Sequence, residues 1–244
     1  MKIDELEAPY IICEICGQWG GSIRRAEQMI VQAKMAGADA VKVQLWDTYR
    51  MPGENRQWWE YLTVSKDIFL RLKELCDRLN IDYFASPFHA DRFQWVREAG
   101  IGLNKIASPL LVNDFDLCRE MISTGMSTLV SLGLWNKDRL PFDEPNVVYM
   151  HCLSKYPHNL GEAIQEMPAT FSGSILGYSD HSLGIEALKV AVERGARIVE
   201  KHFTTEKSLQ SATEGAHVCS MDMSELAAFR NFCDARASSR HHRS

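Results

Sequence analysis

Residues 177–202 read GYSDHSLGIEALKVAVERGARIVEKH, and three segments of different period follow one another in and around them. An apolar run from Ser174 to Tyr178 has the length of a buried strand. From Leu183 to Arg194 the apolar side chains recur at helical spacing, and Gly195 stands where a helix stops. Arg197 to Glu200 is a second apolar run. A strand, a helix and a strand in that order form a crossover unit whose strands lie parallel.

The same unit repeats along the chain. Further strand-length runs occupy Tyr10 to Ile15, Ala40 to Leu45, Ile81 to Ala85, Leu103 to Ala107, Thr128 to Leu132 and Val147 to Leu153. Amphipathic stretches at Ser22 to Ala36, Ser65 to Leu79, Asp91 to Ala99 and Asp114 to Ile122 separate them, and Ser224 to Ala235 follows the last. Ser22, Ser65 and Ser224 have the chemistry of N-caps, while Gly37 and Gly100 join Gly195 as C-terminal stops. Eight alternating units in 244 residues predict one closed (β/α)8 barrel over residues 1–236 and a disordered tail over 237–244. Residues 136–146 contain Pro141 and Pro145 and lack a helical period, so the helix after the fifth strand is expected to be missing.

Composition narrows the partners. A net charge of -5 argues against the basic surface that nucleic acid or an anionic membrane requires. No apolar run reaches the roughly 18 residues of a membrane span, and MKIDELEAPY has no signal-peptide pattern, so a cytoplasmic protein is expected. Seven cysteines, an odd number, suit reduced buried thiols, and Cys13 and Cys16 are read as core packing. The cluster Trp58-Trp59-Glu60-Tyr61 is read as a packed loop, with a lid or an oligomer contact as the alternative.

In a parallel barrel the chemistry sits at the C-terminal ends of the strands. Read in order, these ends carry Glu14, Lys42 with Gln44, Ser86, Lys105 with Ser108, Ser131, Ser154 with Tyr156, Ser179 with His181, and His202. Charged groups entering a barrel mouth need partners, because their desolvation costs several kcal/mol. Two lysines among hydroxyls suit a small molecule bearing a phosphate and a carboxylate. His181 and His202, with Glu14 across the barrel, suit a divalent metal such as Mn²⁺, Zn²⁺ or Fe²⁺. Lys201 alternates to the barrel exterior and is read as a surface residue, and His89, His151, His158 and His217 are read as core histidines.

The stretches ICEI, GADAVKVQ, FASPF, KIAS, HCLSKYP, GYSDHSLGIEA and EKHFT, in this order, resemble the barrel domain of the sialic acid synthase (N-acetylneuraminate synthase) family across roughly Ala8 to Met221. The resemblance implies an enzyme that condenses phosphoenolpyruvate with an aldehyde-form sugar or related aldehyde, giving an ulosonic acid and phosphate. It implies that Lys42, Ser86, Lys105, Ser108, Ser131, Ser154 and Ser179 hold phosphoenolpyruvate, that His181 and His202 bind the metal, and that Glu14, Gln44 and Tyr156 face water and sugar. The metal expected is Mn²⁺, with Mg²⁺, Co²⁺, Fe²⁺ and Zn²⁺ as alternatives. A homo-oligomer, specifically a dimer, is the expected assembly, and a separate partner protein presenting the acceptor is an alternative. Two other readings of the site are a Schiff-base aldolase using Lys105 and a barrel that binds a ligand or partner without turnover.

One motif misleads. Ser123 to Ser127 spells the family string STGMS, but it lies at the end of a helical stretch, so the strand-end hydroxyl is assigned to Ser131 in VSLGL. The chain also departs from the family. Gln18-Trp19-Gly20-Gly21 replaces an Asn-His-Asn-Gly loop, and Glu214-Gly215-Ala216-His217 replaces a loop ending in Asp-His, where Glu214 is the candidate substitute for the lost aspartate. The chain stops at residue 244, so the family's C-terminal antifreeze-like domain is expected to be absent, and with it an arginine lent to a neighbour's sugar site.

Overall fold

Apolar runs flanked by helices can hide both faces of a parallel sheet only if the sheet is covered or closed. A computed structural model, which describes residues 6–47, 60, 62–209 and 218–241, shows closure: eight parallel strands pair in chain order, and the last returns to the first. They are β1 Tyr10–Glu14, β2 Ala40–Leu45, β3 Asp82–Pro87, β4 Leu103–Ile106, β5 Ser127–Ser131, β6 Val147–Cys152, β7 Ile175–Asp180 and β8 Ile198–His202. The outer layer comprises α1 Ile23–Met35, α2 Lys66–Leu79, α3 Ala90–Glu98, α4 Ser108–Asn113, α5 Phe115–Ser123, α6 Leu160–Glu166, α7 Glu186–Glu193 and α8 Met223–His241. No described helix is long and apolar enough to cross a membrane.

The caps explain most helix boundaries. Ser22 and Ser65 accept bonds from the backbone N–H of Arg25 and Ile68, and Gly37, Gly100 and Gly195 take φ of 91°, 66° and 101° just beyond their helices. Ser224 is not the cap of α8. Asp222 is: its carboxylate accepts from Ser224 N at 2.9 Å and Glu225 N at 2.9 Å. The same helix runs on to His241, into the stretch read as a tail.

Two short helices, α4 and α6, were not anticipated, because six and seven residues are too few to display a period. The helix after β5 is missing, as expected. Residues of that connection fill its place with a stack of rings, Phe142 on Phe115 at 4.8 Å and Trp135 on Phe115 at 6.1 Å. Tyr149 locks the stack from the barrel wall by donating its hydroxyl to Phe142 O at 2.7 Å.

The interior is packed, not hollow. Gly177 of β7 is there because Met150 of β6 needs the room: a Cβ on Gly177 would lie 2.6 Å from Met150 Cγ. At the N-terminal face, Arg230 of α8 donates to Gly37 O at 2.8 Å and pairs with Asp39, whose carboxylate also accepts from Ile11 N at 2.7 Å. These bonds pin the last helix to the start of β1 and β2. All seven cysteines are buried and reduced; Cys13 and Cys16 have Cys-x-x-Cys spacing, but Cys13 lies within β1 and Cys16 beyond it.

Lys201 does point outward, yet it is not a surface residue. It is 1% exposed and forms a buried ion pair with Asp180, because α7 and the β7 connection cover that part of the wall. Among the core histidines, His158 is buried, while His89 and His151 are half-buried. Trp58, Trp59, Tyr61, Glu214, Ala216, His217 and His242 lie outside the described residues.

Candidate active site

Strands β7 and β8 extend two residues further than their apolar runs suggest. Ser179 pairs with Glu200, and Asp180 with Lys201, in a continuing ladder. Side chains alternate across a strand, so Ser179, Glu200 and His202 point into the barrel mouth, while Asp180 and Lys201 point away from it. On the other side of β8, Glu14 of β1 stands opposite His202, and it also stands opposite Lys42 of β2. Register alone therefore sets Glu14, Lys42 and His202 side by side, with Ser179 and Glu200 two residues below them.

They line a cavity of about 270 Å³ at the C-terminal end of the barrel. At its floor, two lysines and two glutamates share one network. Lys42 pairs with Glu14 and lies 3.7 Å from Glu200 Oε2, while Lys105 lies 3.4 Å from Glu200 Oε1. Hydroxyls fill the remaining valences: Lys105 donates to Ser131 Oγ at 2.8 Å, Lys42 to Ser86 Oγ at 3.2 Å, and Ser179 Oγ to Glu200 at 3.0 Å. Glu14 also accepts from Cys16 N at 2.7 Å and from Gln44 Nε2 at 3.4 Å.

The network is neutral as a whole but uneven inside. Burial pushes the Glu200 carboxyl up, yet Lys105, Lys42 and the Ser179 hydroxyl outweigh it and bring the pKa down to about 2. Burial opposes the charge on Lys42 too, but Glu14 and Glu200 overcome it and raise its pKa. Lys105 is different. Burial lowers its pKa, and Glu200 compensates only in part. Glu14 is held above the ordinary carboxylate range by burial, against the pull of Lys42. The floor thus contains an ammonium that an added anion would stabilise and a carboxyl able to exchange a proton.

The rim carries imidazoles. His181 Nδ1 is 2.7 Å from the Leu153 carbonyl, which can only accept, so the proton is on Nδ1 and the lone pair on Nε2. His202 Nδ1 lies 3.3 Å from Gln18 Oε1, which orients that ring in the same way. The two rings stand 5.9 Å apart, and burial lowers His181 to about 4, which keeps it neutral. Imidazoles oriented by carbonyl oxygens through Nδ1 fit a divalent cation bound through Nε2. No group of three potential protein ligands occurs among the described residues, so water or substrate would complete the shell.

Of the residues expected from sequence, Glu14, Lys42, Gln44, Lys105, Ser108, Ser131, Ser154, Tyr156, Ser179, His181 and His202 all line this one cavity. Ser86 does not; fully buried, it sits behind Lys42 and supports its ammonium. Ser108 accepts from Gly133 N at 2.9 Å, and Tyr156 lies 4.0 Å, ring to ring, over His181. Ser131 is placed at the floor, and Ser123 bonds instead to Glu120 O in its own helix. Sequence reasoning missed Glu200, whose signal was a charge inside an apolar strand. It also treated Gln18 only as a departure, although Gln18 is buried and holds His202.

Comparison with known proteins follows the same lines. A family model described as the NeuB family matches residues 29–239. The N-acetylneuraminate-9-phosphate synthase of Drosophila melanogaster is 31% identical over 251 residues, 91% of this chain and 66% of that protein. The N,N'-diacetyllegionaminic acid synthase of Legionella pneumophila is 29% identical over 89% of this chain and 69% of its own length. The chain thus spans about two thirds of the length of these curated relatives. Among solved structures, an N-acetylneuraminic acid (sialic acid) synthetase from Leptospira borgpetersenii serovar Hardjo-bovis, in complex with citrate, superposes with a TM-score of 0.83 at 31% identity, covering 95% of this chain and 84% of that one.

Proposed function

The chain belongs to the NeuB family, and from that premise we propose that it condenses phosphoenolpyruvate with the open-chain aldehyde of a sugar, yielding a 2-keto-3-deoxy (ulosonic) acid and inorganic phosphate. The observation that carries this reading is the joint presence, in one cavity of about 270 Å³, of Lys42 and Lys105 among hydroxyls and of two oriented imidazoles. The first group recognises a phosphorylated carboxylic acid, and the second suits a cation.

Lys105, Ser131 and Ser179 bind the anionic groups of phosphoenolpyruvate, with Lys42 beside them held by Glu14, Glu200 and Ser86. Ser108 and Ser154 lie on the cavity wall and orient the same ligand, and Gln44 and Tyr156 face the acceptor. A divalent cation, Mn²⁺ by preference, would be held by His181 and His202 and would supply Lewis-acid polarisation of the aldehyde oxygen.

In the reaction C3 of phosphoenolpyruvate forms a bond to the aldehyde carbon, whose oxygen takes up a proton from solvent water. Water adds at C2 and gives its proton to Glu14, a role that its raised pKa favours. The tetrahedral carbon then breaks its bond to the phosphate ester oxygen, the electron pair and the proton of the new hydroxyl leave with the phosphate, and a ketone remains. Lys42 and Lys105 are preorganised for the charge that accumulates on carboxylate and phosphate, a contribution of about 3 kcal/mol per group.

Phosphate release from phosphoenolpyruvate, Mn²⁺ and a panel of aldoses tests the proposal. Release that needs both an aldose and the cation supports it; none with any aldose points to a barrel that binds without turnover. The lowered pKa of Lys105 is a feature that a Schiff-base aldolase would share. Borohydride trapping of a substrate on Lys105 would favour that second reading.

A further inference from the structure

The two short motifs that carry the histidines, Ser179-Asp180-His181 and Glu200-Lys201-His202, pair through their first two residues. Inside the wall Ser179 bonds to Glu200. Outside it, one residue further on, Asp180 and Lys201 form an ion pair whose side chains are 0% and 1% exposed. This is the last rung of the β7–β8 ladder before His181 and His202.

The pair reaches further than one rung. Lys201 Nζ also donates to Ser182 O at 2.7 Å, and Asp180 Oδ1 accepts from Ser182 N at 3.0 Å and from Tyr178 OH at 3.2 Å. Both backbone polar groups of Ser182 are therefore held by the pair. His181, between Asp180 and Ser182, is fixed at both peptide neighbours, and His202 follows Lys201 directly.

A buried ion pair is a poor source of stability, since apolar residues of the same volume often do as well or better. Its value lies in geometry, because charge-assisted bonds tolerate little displacement. His181 lies past the last rung of β7, where a strand end frays unless something ties it, while His202 is still paired with Glu14 of β1. We propose that the Asp180–Lys201 pair is the positioning device that sets the separation and aim of His181 and His202, and through them the affinity for a divalent cation. The proposal rests on the reading of those histidines as cation ligands.

The test is calorimetric titration of Mn²⁺ and, separately, of phosphoenolpyruvate into the metal-stripped protein. The variants are Lys201→Met and the double variant Asp180→Asn with Lys201→Met. The single variant strands a buried carboxylate and can fail to fold; the double variant removes both charges and keeps the volume. The expected result is Mn²⁺ affinity at least tenfold weaker in the folded double variant, with phosphoenolpyruvate affinity within about twofold of wild type. Unchanged Mn²⁺ affinity overturns the proposal, and so does an equal loss for both ligands, which signals general loosening of the wall. If His181→Ala binds Mn²⁺ as tightly as wild type, the ligand reading itself is wrong, and the positioning proposal falls with it.

Discussion

Of the two lysines at the floor, Lys105 is the less compensated, since burial depresses it and Glu200 answers only in part, whereas Lys42 is raised. Lys105→Met keeps the volume and removes the charge. Phosphoenolpyruvate should then bind tenfold or more weakly by calorimetric titration, while acceptor binding barely changes; an unaltered affinity would remove Lys105 from the anion site. His151 offers a test that concerns stability instead. It stacks on Tyr178 at 6.1 Å on the outer face of the wall, and desolvation lowers its pKa from 6.5 to about 4. In the unfolded chain it takes a proton near pH 6.5, and in the fold only near pH 4, so its contribution is complete above 6.5 and is lost as pH falls toward 4. His151→Gln should flatten denaturant-midpoint curves in that window, and an identical slope would contradict the assignment. The ends of the strands announced most of the site, because a polar residue after an apolar run has few structural excuses. The roles of Glu200 and Gln18 escaped notice because their partners are distant in sequence: Lys105 for one, His202 for the other.

Elements were legible where length and caps agreed. Helices α1 and α2 begin at serines that bond as N-caps, while α4 and α6 are too short to show a period, and α8 takes its cap from Asp222 because that carboxylate reaches two N–H groups. Strands β7 and β8 looked shorter than they are, since their last residues are polar for reasons of chemistry, and pairing continues through them. Packing between strands sets a further expectation. Gly177→Ala would bring a Cβ within 2.6 Å of Met150 Cγ and 3.3 Å of its Cα, so the Met150 side chain or the strands must shift. The cost should be about 1–3 kcal/mol in a denaturant titration. A variant as stable as wild type would mean that Met150 can move aside freely.

Across the whole molecule, one contact differs from the rest. Each strand pairs with the next in the chain, so seven of the eight interfaces join sequence neighbours, and the eighth brings β1 back to β8. Pairings between distant segments form late, because loop-closure entropy must be met before they contribute. That seam is also where Glu14 meets His202. An arc of strands assembled before closure would hold Lys42, Lys105 and Ser131 on one span but would lack the rung that completes the mouth. In stopped-flow refolding, high-affinity phosphoenolpyruvate binding should therefore return in the slowest phase rather than with early secondary structure, and its recovery in an early phase would refute this order. The mouth then acts as a record of folding history: only a chain that has finished joining its ends into a ring presents a complete site, and half-made copies stay silent.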